Sequence, residues 1–81
     1  MTDIELKDLI ANIAKALVDN PEEVITTEIK GQHSSMIELK VAKEDIGKVI
    51  GKKGRTAQAL RSILMSASAK LKKRCSLEIL D

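Results

Sequence analysis

The chain has 81 residues, of which 43% are hydrophobic and 32% are charged. A chain of this length makes one small domain, because it buries only about 60% of the surface that its unfolded form exposes. The composition excludes intrinsic disorder, and no apolar run approaches the roughly 20 residues that span a bilayer. We therefore expect a single domain over residues 1–81 and no membrane partner.

The residue types present also exclude several kinds of chemistry. One cysteine and one histidine cannot form an internal disulfide or, without other chains, a zinc site. Phe, Tyr and Trp are absent, which excludes aromatic stacking on bases. The opening residues "MTDIELKD" lack the positive head and apolar centre of a secretory signal. We expect a cytoplasmic protein that is not an enzyme, with no metal, no cofactor and no small-molecule substrate.

The charges are distributed unevenly along the chain. The segment 46–74 contains nine basic residues and no acidic one, whereas the remainder contains five basic and twelve acidic residues. A net charge of +9 therefore lies beside one of −7. Such an imbalance is typical of proteins that bind an anionic partner, and nucleic acid is the commonest polyanion in the cytoplasm.

The first half of the chain predicts one helix and two strands. Thr2 and Glu5 have the spacing of a capping box, and apolar residues then recur at helical spacing as far as Leu17, before Pro21 ends the pattern. The segments 23–30 and 36–41 alternate like strands, and the polar loop between them predicts an antiparallel hairpin. In the second strand, the residues expected to point inward are Ile37, Leu39 and Val41.

The second half predicts two helices and a strand. A short helix is expected over 43–50, a longer one over about 55–73, and a third strand over 75–80. The apolar stripe expected on the longer helix consists of Leu60, Ile63, Leu64, Ala67 and Leu71. The order α-β-β-α-α-β predicts a two-layer α+β domain, in which a three-stranded mixed sheet carries three helices on one face. The second and third strands should be parallel, since two helices connect them.

Three glycines lie in the segment "DIGKVIGKKGRTAQALR", at positions 47, 51 and 54. Their spacing fits neither a nucleotide P-loop nor a dinucleotide fingerprint, and the segment joins two helices rather than a strand and a helix. Gly51 and Gly54 instead frame a bare turn containing Lys52 and Lys53, with Arg55 and the free amides of the next helix beside it. Such a turn can bind a phosphate.

The same residues resemble the "IGxxG" signature of KH RNA-binding domains. The whole chain is similar to the KhpA family of small bacterial proteins with a single type II KH domain. This resemblance implies a GXXG loop that clamps the backbone of about four single-stranded nucleotides, with the bases in an adjacent apolar groove. The RNA-binding residues that it implies are Lys48, Gly51, Lys52, Lys53, Gly54 and Arg55 at the loop, with Ile46, Val49 and Ile50 on the preceding helix.

The resemblance also implies partners and a role. Single-stranded RNA is the expected ligand, bound with low sequence specificity, because Ala57 stands where the KH pattern has a large aliphatic residue. The role implied is that of a post-transcriptional regulator or an RNA chaperone. The protein partner implied is a second copy, a Jag-type KH protein (KhpB), or both.

Other interpretations of the same residues stay open at this stage. The chain could be a dimerisation module in which the helix-loop-helix face binds protein and RNA binding is residual, and a helix-turn-helix DNA-binding protein is less favoured. The cluster of Lys70, Lys72, Lys73 and Arg74 suits the end of a helix without any ligand, or provides auxiliary phosphate contacts. His33 is expected in an exposed loop, and Cys75 is expected to be a buried apolar side chain.

Overall fold

The computed structural model describes residues 5–81, and its order of elements is the predicted one. Helix α1 is followed by strands β1 and β2, helices α2 and α3, and strand β3. Their bounds are α1 Leu6–Leu17, β1 Ile25–Lys30, β2 Ser35–Lys40, α2 Ile46–Ile50, α3 Arg55–Lys70 and β3 Cys75–Ile79. No helix among residues 5–81 is long and apolar enough to cross a membrane.

The three strands form one mixed sheet in the order β1-β2-β3. Strand β1 pairs with β2 in the antiparallel sense, with Ile25 opposite Lys40, and β2 pairs with β3 in parallel, with Ser35 opposite Cys75. The predicted pairing is therefore confirmed. It follows from the connections, since a short hairpin joins β1 to β2 whereas α2 and α3 cross over between β2 and β3.

The core lies between the helices and one face of the sheet. Ile37, Leu39 and Val41 are buried, as predicted from the alternation along β2. They pack with Ile10 of α1 and with Leu60 and Leu64 of α3 among others. On the other face of the sheet, Ile25 and Ile29 are half exposed, so the helices cover one face only and the two-layer prediction is confirmed.

The buried stripe of α3 differs from the predicted one. Leu60 and Leu64 are buried as expected, but Ile63 and Leu71 are more than 40% exposed and Ser68 is buried in their place. The helix therefore turns the positions 57, 60, 64 and 68 toward the sheet, at spacings of three and four residues. The hydroxyl of Ser68 donates to the carbonyl of Met65 at 3.0 Å, which satisfies this buried polar group.

Several element ends also differ from the prediction. Glu5 is extended and its side chain makes no capping hydrogen bond, so α1 begins at Leu6. Thr2, the other half of the expected capping box, lies outside the described residues. Strand β1 begins two residues late because Pro21–Glu23 forms a 3₁₀ turn, and α2 is short because another such turn precedes it. Helix α3 ends at Lys70 rather than at Lys73.

The crossover places the two ends of α3 at opposite ends of the sheet. Its first residue lies on the side where β2 ends, since α2 and the Gly51–Gly54 turn follow β2 directly. Its last residue lies on the side where β3 begins, beside the β1–β2 hairpin. There the amide of Ser35 donates to the carbonyl of Arg74 at 2.8 Å.

Candidate functional site

The turn between α2 and α3 has an unusual backbone. Gly51 has φ 78° and ψ 172°, and both Lys53 (φ 57°) and Gly54 (φ 75°) are left-handed. The amide of Gly51 donates to the carbonyl of Gly47 at 2.9 Å and that of Gly54 to the carbonyl of Gly51 at 3.1 Å. The first bond ends α2 and the second closes the turn, so residues 51–54 form a tight connection between the two helices.

The two glycines of the turn are needed for different reasons. A Cβ atom on Gly51 would collide with the side chain of Thr56 and lie 2.8 Å from its backbone nitrogen. A Cβ atom on Gly54 would meet nothing within 4 Å, so only its left-handed φ favours glycine there. Gly51 therefore permits the close approach of α3, whereas Gly54 leaves bare, open space at the start of that helix.

Lys53 is left-handed without being glycine. This conformation costs a residue with a side chain roughly 1–2 kcal/mol. Among the described residues only one other residue with a side chain has a positive φ, and it is Lys72, at the opposite end of α3. The turn therefore holds a lysine side chain where glycine would suit the backbone better.

The turn presents hydrogen-bond donors and positive charges that are not paired with any other described residue. The amides of Lys52 and Lys53 take part in none of the hydrogen bonds of residues 5–81. The side chains of Lys52, Lys53 and Arg55 are exposed, and none lies within ion-pair distance of a described carboxylate. The partial positive charge at the start of the 16-residue helix α3 adds to theirs. This arrangement can bind an anion such as a phosphate.

Lys48 forms ion pairs outside the turn. Its Nζ atom lies 3.1 Å from Asp19 Oδ2 and 4.0 Å from Asp45 Oδ1. The hydrogen bond to Asp19 and the negative charge of that residue raise the pKa of Lys48 above its usual value. Lys48 was expected with the loop residues, but in this structure its charge is matched by carboxylates.

Asp45 is a member of this site that the sequence analysis missed. Its side chain is completely buried at the start of α2. Its Oδ2 atom accepts hydrogen bonds of 3.0 Å from both the backbone amide and the side-chain amide of Asn20, and Oδ1 accepts one of 3.3 Å from the amide of Asp19. These bonds tie α2, and therefore the turn that follows it, to the segment after α1.

The pKa of Asp45 reflects the same contacts. Desolvation by burial acts to raise the pKa, but the hydrogen bonds from Asn20 and Asp19 and the charge of Lys48 outweigh it and lower the pKa below its usual value. Asp45 is therefore held as a carboxylate. A buried carboxylate with these donors cannot be inferred from the polar stretch "KEDI" alone, because its partners lie about 25 residues earlier in the chain.

The apolar residues expected beside the loop divide into three cases. Val49 is completely buried in the core, Ile46 is partly buried, and Ile50 is 39% exposed. Ala57, expected to shape the groove, is itself buried. An open groove of about 660 Å³ borders Ile46, with Val41, Ala42 and Leu80 among its lining residues. Ile46 and Ile50 can contact a ligand. Val49 has no exposed surface and instead packs in the core.

Residues 5–81 contain no group of three or more His, Cys, Asp or Glu side chains that could hold a metal ion. His33 is exposed in the hairpin loop, as expected. Cys75 is partly buried rather than fully buried. Desolvation by burial, together with the charge of Glu28, raises the pKa of its thiol. This lowers the reactivity of the thiol.

Comparison with known proteins gives consistent matches over nearly the whole chain. The family model described as "KhpA/KhpB, KH domain" matches residues 7–79. The chain is 58% identical over 73 residues to the RNA-binding protein KhpA of Caldanaerobacter subterraneus, an alignment that covers 90% of this chain and 97% of that protein. It is 51% identical to the proteins of the same name from Clostridium acetobutylicum and Halalkalibacterium halodurans, covering 93% and 94% of this chain and 100% of each relative.

A solved structure matches the fold. The crystal structure of a variant of Aquifex aeolicus Era, bound to GDP and AlF4−, superposes with a TM-score of 0.58 at 22% identity. The match covers 96% of this chain but only 31% of the Era chain. At this identity the likeness concerns the fold alone.

Proposed function

Because this chain belongs to the KhpA/KhpB family of KH domains, with the type II fold expected from its element order, we propose that it binds single-stranded RNA through the Gly51–Gly54 turn. The relatives are named RNA-binding proteins and the family is non-enzymatic. The chain is accordingly an RNA-binding protein and not an enzyme.

One observation carries the choice of the turn as the binding site. Two amides without acceptors and three cationic side chains without carboxylate partners lie together at the start of α3. Such a group meets the requirements of a phosphate, which needs several donors and a positive potential at one point. Because Gly54 has no side chain, the open space at the start of α3 stays free for an approaching RNA backbone.

The remaining residues have supporting roles in this proposal. Lys52, Lys53 and Arg55 contact phosphates, and Ile46 and Ile50 contact bases. Val49 holds α2 in the core, and Lys48 contributes through its pairing with Asp19 rather than through a phosphate. Because the proposed contacts are chiefly to phosphates, which carry no sequence information, binding has low sequence specificity. A regulatory or RNA-chaperone role in the cytoplasm and a single-domain organisation over residues 1–81 belong to the same proposal.

The proposal is tested by reversing the charge of the turn. The variant Lys52→Asp/Lys53→Asp removes the two cations, and Asp tolerates the left-handed backbone of position 53 better than most residues. We expect a loss of affinity for a single-stranded oligouridylate of at least tenfold at low salt, measured by fluorescence anisotropy. The matched control Lys7→Glu/Lys15→Glu reverses two charges on α1 and should keep most of the affinity.

The salt dependence provides a second readout on the same samples. If three or four phosphates are engaged, the slope of log K against log salt for the unchanged protein is roughly −2 to −3. Both variants must retain the far-ultraviolet circular dichroism of the parent. Equal affinity of the folded loop variant and the parent protein would rule out the turn as the phosphate site.

A second function, association with another KH chain, is favoured by a separate observation. An apolar groove of about 300 Å³ lies between α1 and α3, lined chiefly by Ile13, Leu17, Ala59, Leu60 and Ile63. Leu17 and Ile63 are each about 40% exposed. We propose this groove, rather than the exposed Ile50 alone, as the contact surface for a second copy or for a Jag-type KH protein (KhpB). Arg55 and Thr56 also border the groove, so such a partner would lie close to bound RNA.

A further inference from the structure

A second group of basic residues lies at the far end of α3 from the Gly51–Gly54 turn. There the β1–β2 hairpin and the α3–β3 connection enclose an open concavity of about 270 Å³. Four exposed cationic side chains line it, and these are Lys30, Lys72, Lys73 and Arg74. They take part in none of the ion pairs of residues 5–81, and a single lining residue, Glu28, is acidic.

Backbone hydrogen bonds fix the two loops that carry these residues. The amide of Lys73 donates to the carbonyl of Ser68 at 2.8 Å and that of Lys72 to the carbonyl of Ala69 at 3.0 Å, which is the pattern of a Schellman helix end. Glycine is usual at the left-handed position of this motif, but here Lys72 occupies it with φ 57°. The bond from Ser35 to Arg74 then joins this end to the hairpin.

The helix that connects the two basic groups carries no acidic residue. No acidic residue occurs from Ile46 to Arg74, and the exposed Arg61 lies on α3 between the two ends. A 16-residue helix is about 24 Å long. A polyanion that follows α3 therefore meets positive charge at both ends and no negative charge on the helix.

The chemistry of the concavity fits a phosphate backbone better than a protein. Apart from Glu28, its other lining residues are small or polar, namely Gly31, Gln32, His33, Ser34 and Ser35. The centre of a protein interface is usually apolar or aromatic, and no apolar or aromatic side chain lines this concavity. A phosphate chain requires only positive charge and hydrogen-bond donors.

We propose that the surface formed by Lys30, Lys72, Lys73 and Arg74 is a second contact for the phosphate backbone of the same single-stranded RNA. This inference rests on the proposed function and extends it. The strand is held at the Gly51–Gly54 turn, follows α3, and is held again at the far end, so the footprint is longer than the four nucleotides of the loop.

The test compares oligouridylates of about four nucleotides, enough for the loop, and about 16 nucleotides, enough for an extended site. The variant Lys72→Gly/Lys73→Gln removes two charges while giving position 72 the residue that its backbone favours. For the long probe, we expect the slope of log K against log salt to become about 1.4 units shallower, since each phosphate contributes about 0.7. For the short probe, the slope and affinity should stay as in the parent.

The control variant Lys7→Gln/Lys15→Gln loses the same charge on α1 and should leave the slope for both probes near that of the parent. The second contact would be overturned if the parent gave the same salt slope with both probes. It would also be overturned if Lys72→Gly/Lys73→Gln and the control variant lost equal affinity for the long probe. Either result would leave the loop proposal intact. Unchanged binding of the long probe by Lys72→Gly/Lys73→Gln would also overturn the second contact and leave the surface to an acidic protein partner. Failure of the short probe to bind the parent at all would instead contradict the proposed function.

Discussion

At the scale of single residues, Asp45 links the start of α2, and with it the candidate site, to the segment after α1. Its buried carboxylate accepts hydrogen bonds from Asp19 and Asn20 and lies near Lys48. The buried charge is tolerated because several donors surround it. Removing the charge would therefore loosen the start of α2 and, through it, the loop.

This arrangement predicts a specific dependence of stability on acid. The folded pKa of Asp45 lies below the usual value of 3.8, so its contribution is complete above that pH and is lost as the pH falls through the folded pKa. We expect Asp45→Asn to lower the free energy of unfolding at pH 7, and the difference from the parent to shrink as the pH falls below about 4.

Denaturant unfolding at several pH values measures this effect. The groups near Asp45 that also carry charge are Asp19, Glu44 and Lys48. The variant Glu44→Gln is the matched control, since this exposed neighbour accepts one hydrogen bond from Asn20 and should show little change. A difference between Asp45→Asn and the parent that is the same at neutral and acid pH would contradict the account.

The sequence predicted the residues of the turn better than it predicted their surroundings. Gly51 and Gly54 were identified as the frame of the turn from spacing and context, whereas the close contact of Gly51 with Thr56 was not. Asp45 was missed because a carboxylate before a short helix is usually solvated, and its partners become neighbours only after folding. Sequence alone also does not reveal that Lys48, which was predicted as an RNA contact, pairs with Asp19.

At the scale of elements, the type and order of the helices and strands followed from periodicity, whereas the rotation of α3 did not. Ile63 and Leu71 fit the apolar stripe in sequence, but the sheet and α1 bury the positions 57, 60, 64 and 68. An apolar helix residue has two possible neighbours, the core or another surface, and the pattern does not distinguish them. Ile63 was therefore predicted in the core, whereas in the structure it is exposed and lies in the groove between α1 and α3.

This groove predicts how association depends on α3. The variant Ile63→Asp places a charge in the groove without removing a buried side chain, so the monomer should stay folded. If a second copy occupies the groove, the variant should be monomeric at concentrations where the parent is a dimer, as measured by light scattering. The control Met65→Asp changes a more exposed residue of the same helix, and a dimer that survives in Ile63→Asp would exclude the groove as the contact.

At the scale of the whole molecule, α3 connects the three surfaces for which we propose functions. The candidate phosphate site lies at its first turn and one flank borders the apolar groove. Its last turn leads into the α3–β3 connection, which carries Lys72, Lys73 and Arg74 of the second basic surface. The small sheet holds this helix by one face through Leu60 and Leu64. The fold could be predicted from sequence because the periodicity of each segment and the order of the segments indicate the same topology. The surfaces could not, because they depend on which side of α3 is left exposed by the elements packed against it.

The central proposal is that the Gly51–Gly54 turn contacts RNA through its backbone. Titration of the isotope-labelled protein with a short oligouridylate, followed by amide nuclear magnetic resonance, observes those amides directly. We expect the amide signals of Lys52 and Lys53 to shift most, with smaller shifts at Ile46 and Ile50 and little change at Leu17 and Ile63. Shifts concentrated at Leu17 and Ile63, with the signals of Lys52 and Lys53 unmoved, would contradict the account.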